Sequence, residues 1–221
     1  MCYPDSLRSR DRELVQIVDA AFADSARRSG AWLVCRPGCT QCCIGVFAIS
    51  QLDAFRLREG QAELESSDPE RALRVRRRAE ASLKRLRPTF PGDASSGILP
   101  DDCEGFEEYA NDEPCPALDP ETGRCDLYAS RPMTCRVFGP PLRSEDGLGV
   151  CELCFHGASP EEVAGCELRA DTDDLEATLL ARVEGAVGKS GNTIVAFALT
   201  GSGNEAASAE MSDGEAAQKP R

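Results

Sequence analysis

Twelve cysteines and a single histidine determine the chemistry that this 221-residue chain can offer. A site built from these residues is nearly all sulfur, because the one imidazole, His156, lies two residues after Cys154. Sulfur-rich sites favour zinc or iron–sulfur chemistry over magnesium, calcium or copper(II). A chain of this length can bury a real core, so small size alone does not explain its cysteines.

The first cysteine cluster places four thiols within nine residues, in the pattern Cys35-x3-Cys39-x2-Cys42-Cys43. The Pro37-Gly38 turn and the close spacing keep the cost of closing this loop on one centre low. A tetrahedral zinc ion and an iron–sulfur cluster each take four thiolates. Adjacent cysteines do not readily point at one atom in regular backbone, so the last two thiols of the cluster are also compatible with two different sites.

The later cysteines recur at wider gaps, which indicates ligands supplied by several short elements rather than by one loop. One or two of them could be buried as small apolar residues, but clusters of this density favour metal binding. Zinc with four thiolates carries a net negative charge, and arginines near the cysteines would offset it. These arginines are Arg124, Arg131 and Arg136, and the later cysteines are Cys115, Cys125, Cys135, Cys151 and Cys154.

These motifs resemble the YkgJ-type cysteine-cluster family, which is described as a zinc- or iron-chelating domain with eight characteristic cysteines. The resemblance covers residues 33–157, and its most specific part is the Cys-x-x-Tyr-x-x-Arg-Pro-x-x-Cys-Arg stretch from Cys125 to Arg136. It implies that zinc or iron, with a [4Fe–4S] cluster as one form, is held by Cys35, Cys39, Cys42, Cys43, Cys115, Cys125, Cys135 and Cys151. The pattern leaves out Cys2, Cys103, Cys154 and Cys166, so the last ligand stays open between Cys151, Cys154 and His156.

The resemblance implies a metal-binding protein whose site is structural or iron–sulfur, and it supplies no general reaction. One alternative is a radical S-adenosylmethionine enzyme, because Cys35-x3-Cys39-x2-Cys42 has that superfamily's spacing. Gln41 stands where an aromatic residue is usual, and further cysteines follow. Some relatives of the resembled family are tied to protein lysine methylation, which is a second route to an iron–sulfur enzyme.

Two other reaction classes find less support in the sequence. A thiol–disulfide redox protein would use Cys151-x-x-Cys154, but this pair lacks the strand-then-helix context that lowers a thiol pKa. A single histidine gives little room for a Ser–His–Asp triad. The sequence therefore favours a binding protein over an enzyme.

The charge distribution argues against nucleic-acid binding. The net charge is −13, and it lies in the second part of the chain, where residues 101–221 carry 9 Lys/Arg against 25 Asp/Glu. Such a surface repels phosphates. The N-terminus has no apolar segment of signal-peptide type, and the longest apolar run, Ile194–Leu199, is too short to span a membrane. We expect a cytoplasmic protein with reduced thiols.

Periodicity and end signals predict an α-rich, irregular single domain with few or no regular strands. The segment 6–29 reads as an amphipathic helix with Leu14, Val18, Ala21, Phe22 and Ser25 on one face. A second helix begins after Ser50 and would end at Gly60, and a third runs from Asp68-Pro69 to Pro88. The run 44–49 reads as a short buried segment and a candidate strand. Further helices are predicted from Ser159-Pro160 and at about 172–186.

The third helix also carries a basic face made of Arg71, Arg74, Arg77, Arg78 and Arg85. It is either a solvated surface or a docking site for an acidic protein partner, so the helix 69–87 is the candidate partner surface. The predicted organisation is an N-terminal helix (1–32), the cysteine-cluster metal-binding domain (33–157), C-terminal helices (158–200) and a disordered acidic tail (201–221).

Overall fold

Helices dominate the computed structural model, which describes residues 5–144, 147–171 and 173–200. The predicted tail 201–221 and Cys2 lie outside this part of the chain. The helices are α1 (Asp5–Ser29), α2 (Gln51–Ser67), α3 (Pro69–Leu86), α4 (Met133–Val137), α5 (Pro160–Gly165), α6 (Leu175–Val187) and α7 (Val195–Thr200). The regular strands in the described residues form two antiparallel pairs. The first is β1 (Leu118–Asp119) with β2 (Arg124–Cys125), and the second is β3 (Leu142–Ser144) with β4 (Gly147–Gly149). The mainly α prediction is confirmed.

Helix α1 packs one face into a core shared with α2 and α6. Leu14 and Val18 are buried against Phe55 of α2 and Leu179 of α6. The predicted face is confirmed at Ser25, which is also buried and donates its hydroxyl to the Cys166 carbonyl oxygen at 2.5 Å. The N-terminal helix therefore packs on α2, on α6 and on the segment around Cys166.

Helix α2 begins as predicted but does not end at Gly60. A capping box joins Ser50 and Asp53 at its start, and the helix continues to Ser67. Gly60 serves a close approach instead, because an added Cβ would stand 2.2 Å from the Ser130 hydroxyl oxygen. The glycine lets the turn before α4 lie directly on α2.

Helix α3 follows its sequence signals closely. The Asp68 side chain accepts from the backbone N–H of Arg71, and Pro69 occupies the first turn. Its apolar stripe is buried along its length, at Ala72, Val75, Ala79, Leu83 and Leu86. The opposite face remains basic.

The segment 44–49 is not a strand. It forms isolated bridges only, from Ile44 to Pro114 and from Ile49 to Thr193. The apolar run that was too short for a membrane is instead mostly helix α7, whose Val195, Ala198 and Leu199 pack on α2 and α3. No helix in the described parts of the chain has the length and apolar character needed to cross a membrane.

A buried ion network ties α1 and α2 to the start of α4. Arg56 donates from Nε to Asp11 at 2.8 Å and from Nη1 to Asp53 at 2.5 Å. The same Asp53 carboxylate accepts the backbone N–H of Met133 at 2.8 Å. The Arg56 and Asp53 side chains are 3% and 4% exposed. Since both charges are paired, removal of one partner would leave the other buried and costly.

Glu176 of α6 borders this network, and its pKa is raised from 4.5 to about 7. Burial is the largest cause, followed by the charge of Asp53. Asp171 and Asp11 add to the increase, and Arg56 opposes it. Between these two pKa values, Glu176 is protonated in the folded state and ionised in the unfolded state. Stability contributed by this group is present below pH 4.5 and is lost as the pH rises towards 7.

We expect Glu176→Gln to raise the free energy of unfolding at pH 8 by about 1–2 kcal/mol, after discounting for the partial exposure of the side chain. The gain should vanish near pH 4. Urea unfolding at both pH values provides the measurement, and an equal gain at both would show that the carboxyl is not the cause.

Candidate metal centres

Five thiols from four separate segments form the first candidate centre, here called the five-thiol group: Cys42, Cys43, Cys115, Cys125 and Cys135. The first two lie in a 3₁₀ turn, Gln41–Cys43. The Cys115 N–H donates to the Cys43 carbonyl oxygen at 2.8 Å, and Cys125 on β2 pairs with Leu118 on β1. Cys135 is the third residue of α4, whose first N–H is held by Asp53.

Thiols of the five-thiol group raise one another's pKa. Burial raises the pKa of Cys115 to about 12, and the neighbouring Cys125 and Cys42 thiolates add to that increase. Burial also raises the pKa of Cys135, with further increases from Cys115, Cys42 and Cys125. Without a cation, these thiols oppose one another's ionisation.

Cys42 is the exception within this group. A hydrogen bond from Cys43, helped by the nearby Arg131 guanidinium, lowers its pKa to about 6 against the opposing effect of burial. The pKa of Cys43 is raised by the same contact. The two adjacent thiols thus interact with each other, and Cys42 is the member of this group whose pKa is lowered.

A four-thiol group, Cys35, Cys39, Cys151 and Cys154, forms the second candidate centre. Cys35 is exposed by its accessible surface. Partial desolvation of its thiol nevertheless raises its pKa to about 12, with contributions from all three other thiols and a hydrogen bond to Cys154. The Cys154 N–H donates to the Cys151 carbonyl oxygen at 2.8 Å in a tight turn. Gly139, at φ +122°, lies so close that an added Cβ would stand 2.8 Å from the Cys35 sulfur. Glycine there permits both the backbone conformation and the contact.

One short segment connects the two groups. Only Thr40 and Gln41 separate Cys39 of the four-thiol group from Cys42 of the five-thiol group. Three residue steps span at most about 11 Å, so the two groups are neighbours. The Gln41 side-chain amide donates to the Glu152 carboxylate, which stands between Cys151 and Cys154. The linking segment is thereby fixed to the loop that carries the last two thiols.

The eight cysteines implied by the resemblance divide unequally between these groups. Cys35, Cys39 and Cys151 lie in the four-thiol group, and the other five form the five-thiol group. Cys154, which the eight-cysteine pattern left out, is brought to the four-thiol group. His156 is exposed, and no interaction between it and these thiols is found in the described structure. The Cys-x-x-Cys spacing of Cys151 and Cys154 could have indicated from the sequence that Cys154 lies beside Cys151.

The remaining described cysteines have other surroundings. Cys166 is buried with Cys151, Cys154 and Phe155 in a small apolar cluster. Cys103 lies near the aromatic cluster of Phe90 and Phe106, with its sulfur 3.6 Å from the Pro91 carbonyl oxygen. All eleven described cysteines are free thiols.

The three arginines predicted to offset the charge of the site have different roles. Arg131 contributes to the lowered pKa of Cys42 and opposes the increase that burial causes in the pKa of Cys125. Its guanidinium also stacks on the Tyr128 ring at 4.0 Å. Arg136 is fully buried and pairs with Asp19 at 3.0 Å, so it fixes α4 to α1. Arg124 is exposed on β2. Arg131 is therefore the arginine best placed to stabilise thiolate charge.

The donor chemistry of both groups suits zinc or iron. Their ligating atoms would be thiol sulfurs, the set preferred by tetrahedral zinc and by iron–sulfur clusters. Within the described residues, no three Cys, His, Asp or Glu side chains already have an arrangement that could hold a metal ion. The thiols lie in two groups, and their side chains would have to converge further on a bound ion.

An α-rich chain with two groups of free thiols on short loops defines a cysteine-cluster protein of the metal-chelating class. The family model CxxCxxCC, described as "Putative zinc- or iron-chelating domain", matches residues 34–154, more than half of the chain. The protein therefore belongs to the CxxCxxCC family. No curated protein and no solved structure matches it.

Proposed function

We propose that this protein binds zinc or iron at two thiolate centres, one in the four-thiol group and one in the five-thiol group. The supporting observations are the backbone hydrogen bonds that join cysteine-bearing segments, from Cys115 N–H to the Cys43 carbonyl oxygen and from Cys154 N–H to the Cys151 carbonyl oxygen. Within each group, neighbouring thiols also raise one another's pKa. The ligands proposed for the first centre are Cys35, Cys39, Cys151 and Cys154. Those for the second come from Cys42, Cys43, Cys115, Cys125 and Cys135.

The electrostatics of the thiols support this proposal. Desolvation, and after it the charge of neighbouring thiols, raises the pKa of Cys35, Cys115 and Cys135, so these thiols do not ionise together unless a cation compensates them. A divalent metal supplies that compensation, and binding it releases the thiol protons. Arg131 adds positive charge beside Cys42 and Cys125.

A structural role for the four-thiol centre follows from its composition. Four thiolates fill a tetrahedral zinc ion and leave no position for substrate. Loops Cys35–Cys39 and Cys151–Cys154 have little regular structure of their own, so a bound metal would hold them together. The same argument makes metal-binding free energy part of the folding free energy.

The five-thiol group gives one specific reason to keep a reactive centre as a second candidate. It contains one thiol more than a tetrahedral site needs, and the pKa of Cys42 is lowered to about 6, so this thiol is available as a thiolate near neutral pH. An iron–sulfur enzyme, of the radical S-adenosylmethionine or lysine-methylation type, would use such a group. A cytoplasmic location, where thiols stay reduced, fits both candidates.

Purification under nitrogen followed by elemental analysis tests the proposal. We expect one zinc or iron centre for each thiol group, retained through gel filtration. A visible absorption band together with iron would mark an iron–sulfur cluster, and its absence with zinc present would favour two structural zinc sites. A folded, reduced preparation from metal-supplemented cells that holds less than a tenth of an equivalent would contradict the proposal.

A further inference from the structure

The basic face of α3 is turned partly towards the loops that carry cysteines. Three of its five arginines, Arg71, Arg78 and Arg85, make ion pairs with acidic residues beside the five-thiol group. Arg85 pairs with Glu113, two residues before Cys115, at 2.6 Å. This face is therefore occupied in large part by the protein's own chain.

Arg78 contacts both cysteine loops with one guanidinium group. Its Nε donates to the Pro116 carbonyl oxygen at 2.8 Å, and its Nη2 donates to the Asp126 carboxylate at 2.5 Å. Pro116 directly follows Cys115, and Asp126 directly follows Cys125. One rigid, planar fork thus fixes the residue after each of two thiols.

Asp126 is the centre of this arrangement. Its side chain is only 5% exposed, and its other carboxylate oxygen is 2.5 Å from Arg71 Nε. Its backbone N–H donates to the Ala117 carbonyl oxygen at 2.7 Å, which joins the two loops directly. Both oxygens of the carboxylate are paired with arginines of α3, so these ion pairs hold the two loops on α3 independently of a metal.

We propose that Arg78, acting through Asp126 and the Pro116 carbonyl, is a positioning residue that sets the metal affinity of the five-thiol group. This inference rests on the proposed metal-binding function. Partners that orient ligands from outside the coordination shell commonly contribute 10–100-fold in metal affinity. Lysine would keep the charge at position 78 but offers a single ammonium in place of the two-point fork.

Arg78→Lys is the test variant, and Arg77→Lys is its matched control. Arg77 is the preceding residue on α3, is exposed, and has no partner identified within the described residues. Zinc-loaded proteins are mixed with a chromophoric chelator, and the release of each metal equivalent is followed in time. The Cys151→Ser variant identifies which equivalent belongs to the four-thiol group.

We expect Arg78→Lys to release the five-thiol equivalent about 10–100 times faster than the wild type, with the four-thiol equivalent unchanged. Arg77→Lys should match the wild type in both. Asp126→Asn should reproduce the effect of Arg78→Lys, because it weakens the same ion pair from the other partner.

Two results would overturn the positioning role. Equal release rates for Arg78→Lys and Arg77→Lys would show that the fork does not influence the centre. Faster release of both equivalents together would show a general loosening of the fold. A wild-type protein that holds no metal would refute the proposed function itself, and is recognised at the loading step before any variant is compared.

Discussion

Replacing Cys135 by serine is expected to lower the free energy of unfolding of the metal-loaded protein by about 3 kcal/mol or more. Cys135 lies at the start of α4, where Asp53 of the buried ion network holds the first N–H. Small zinc sites contribute about 10–16 kcal/mol of apparent binding free energy at neutral pH, and this energy is gained only on folding. The group offers five thiols for four positions, and we assign Cys135 to the four that bind, because it interacts with Cys115, Cys42 and Cys125. Its loss should then remove a large part of this energy.

The same change should lower the melting temperature by about 10 °C, given the size of the chain. Cys103→Ser is the matched control, because Cys103 lies in the aromatic region outside both thiol groups. Differential scanning calorimetry of both variants under reducing conditions provides the measurement. Melting shifts of similar size for the two serines would show that Cys135 has no special role.

Cys154→Ser is expected to remove one metal equivalent and leave the other. The interaction of Cys154 with Cys35 and Cys151 makes it a member of the four-thiol group, although the eight-cysteine pattern leaves it out. Because the five-thiol group draws on other loops, its metal should be retained. Cys151→Ser should have the same effect, since each serine leaves three thiols.

Elemental analysis after gel filtration measures this loss. Cys166→Ser is a demanding control, because Cys166 is buried in the same apolar cluster as Cys151 and Cys154 but is not assigned as a ligand. It should keep both equivalents. A Cys154→Ser protein with full metal content, beside a Cys151→Ser protein that has lost one equivalent, would restore the eight-cysteine set and refute our assignment.

Local signals predicted where several helices begin, although α4 and α7 were not predicted. Asp68 and Pro69 mark the start of α3, and the buried stripe from Ala72 to Leu86 has the expected helical spacing. Ser159 begins α5 with a capping box in the same way. These features depend on residues close in sequence, so the sequence alone contains the information.

Features that depend on distant contacts were missed. Gly60 is a typical helix-ending residue, but here it lies inside α2, where the absence of a side chain leaves room for Ser130, seventy positions later in the chain. The run 44–49 has strand-like residues but finds no partner strand in the described structure, only single bridges. Sequence spacing likewise identified the cysteines without showing that Cys42 and Cys43 share a group or that Cys154 joins Cys35. The ligand assignment itself stays a prediction.

The central claim is that thiolates alone hold the metal, and X-ray absorption at the zinc or iron edge of the anaerobically purified protein tests it most directly. We expect sulfur neighbours only, at about 2.3 Å, averaging four per metal ion. If iron is present as a cluster, iron neighbours should appear as well. A first shell of oxygen or nitrogen, or fewer than three sulfurs per metal, would contradict the account.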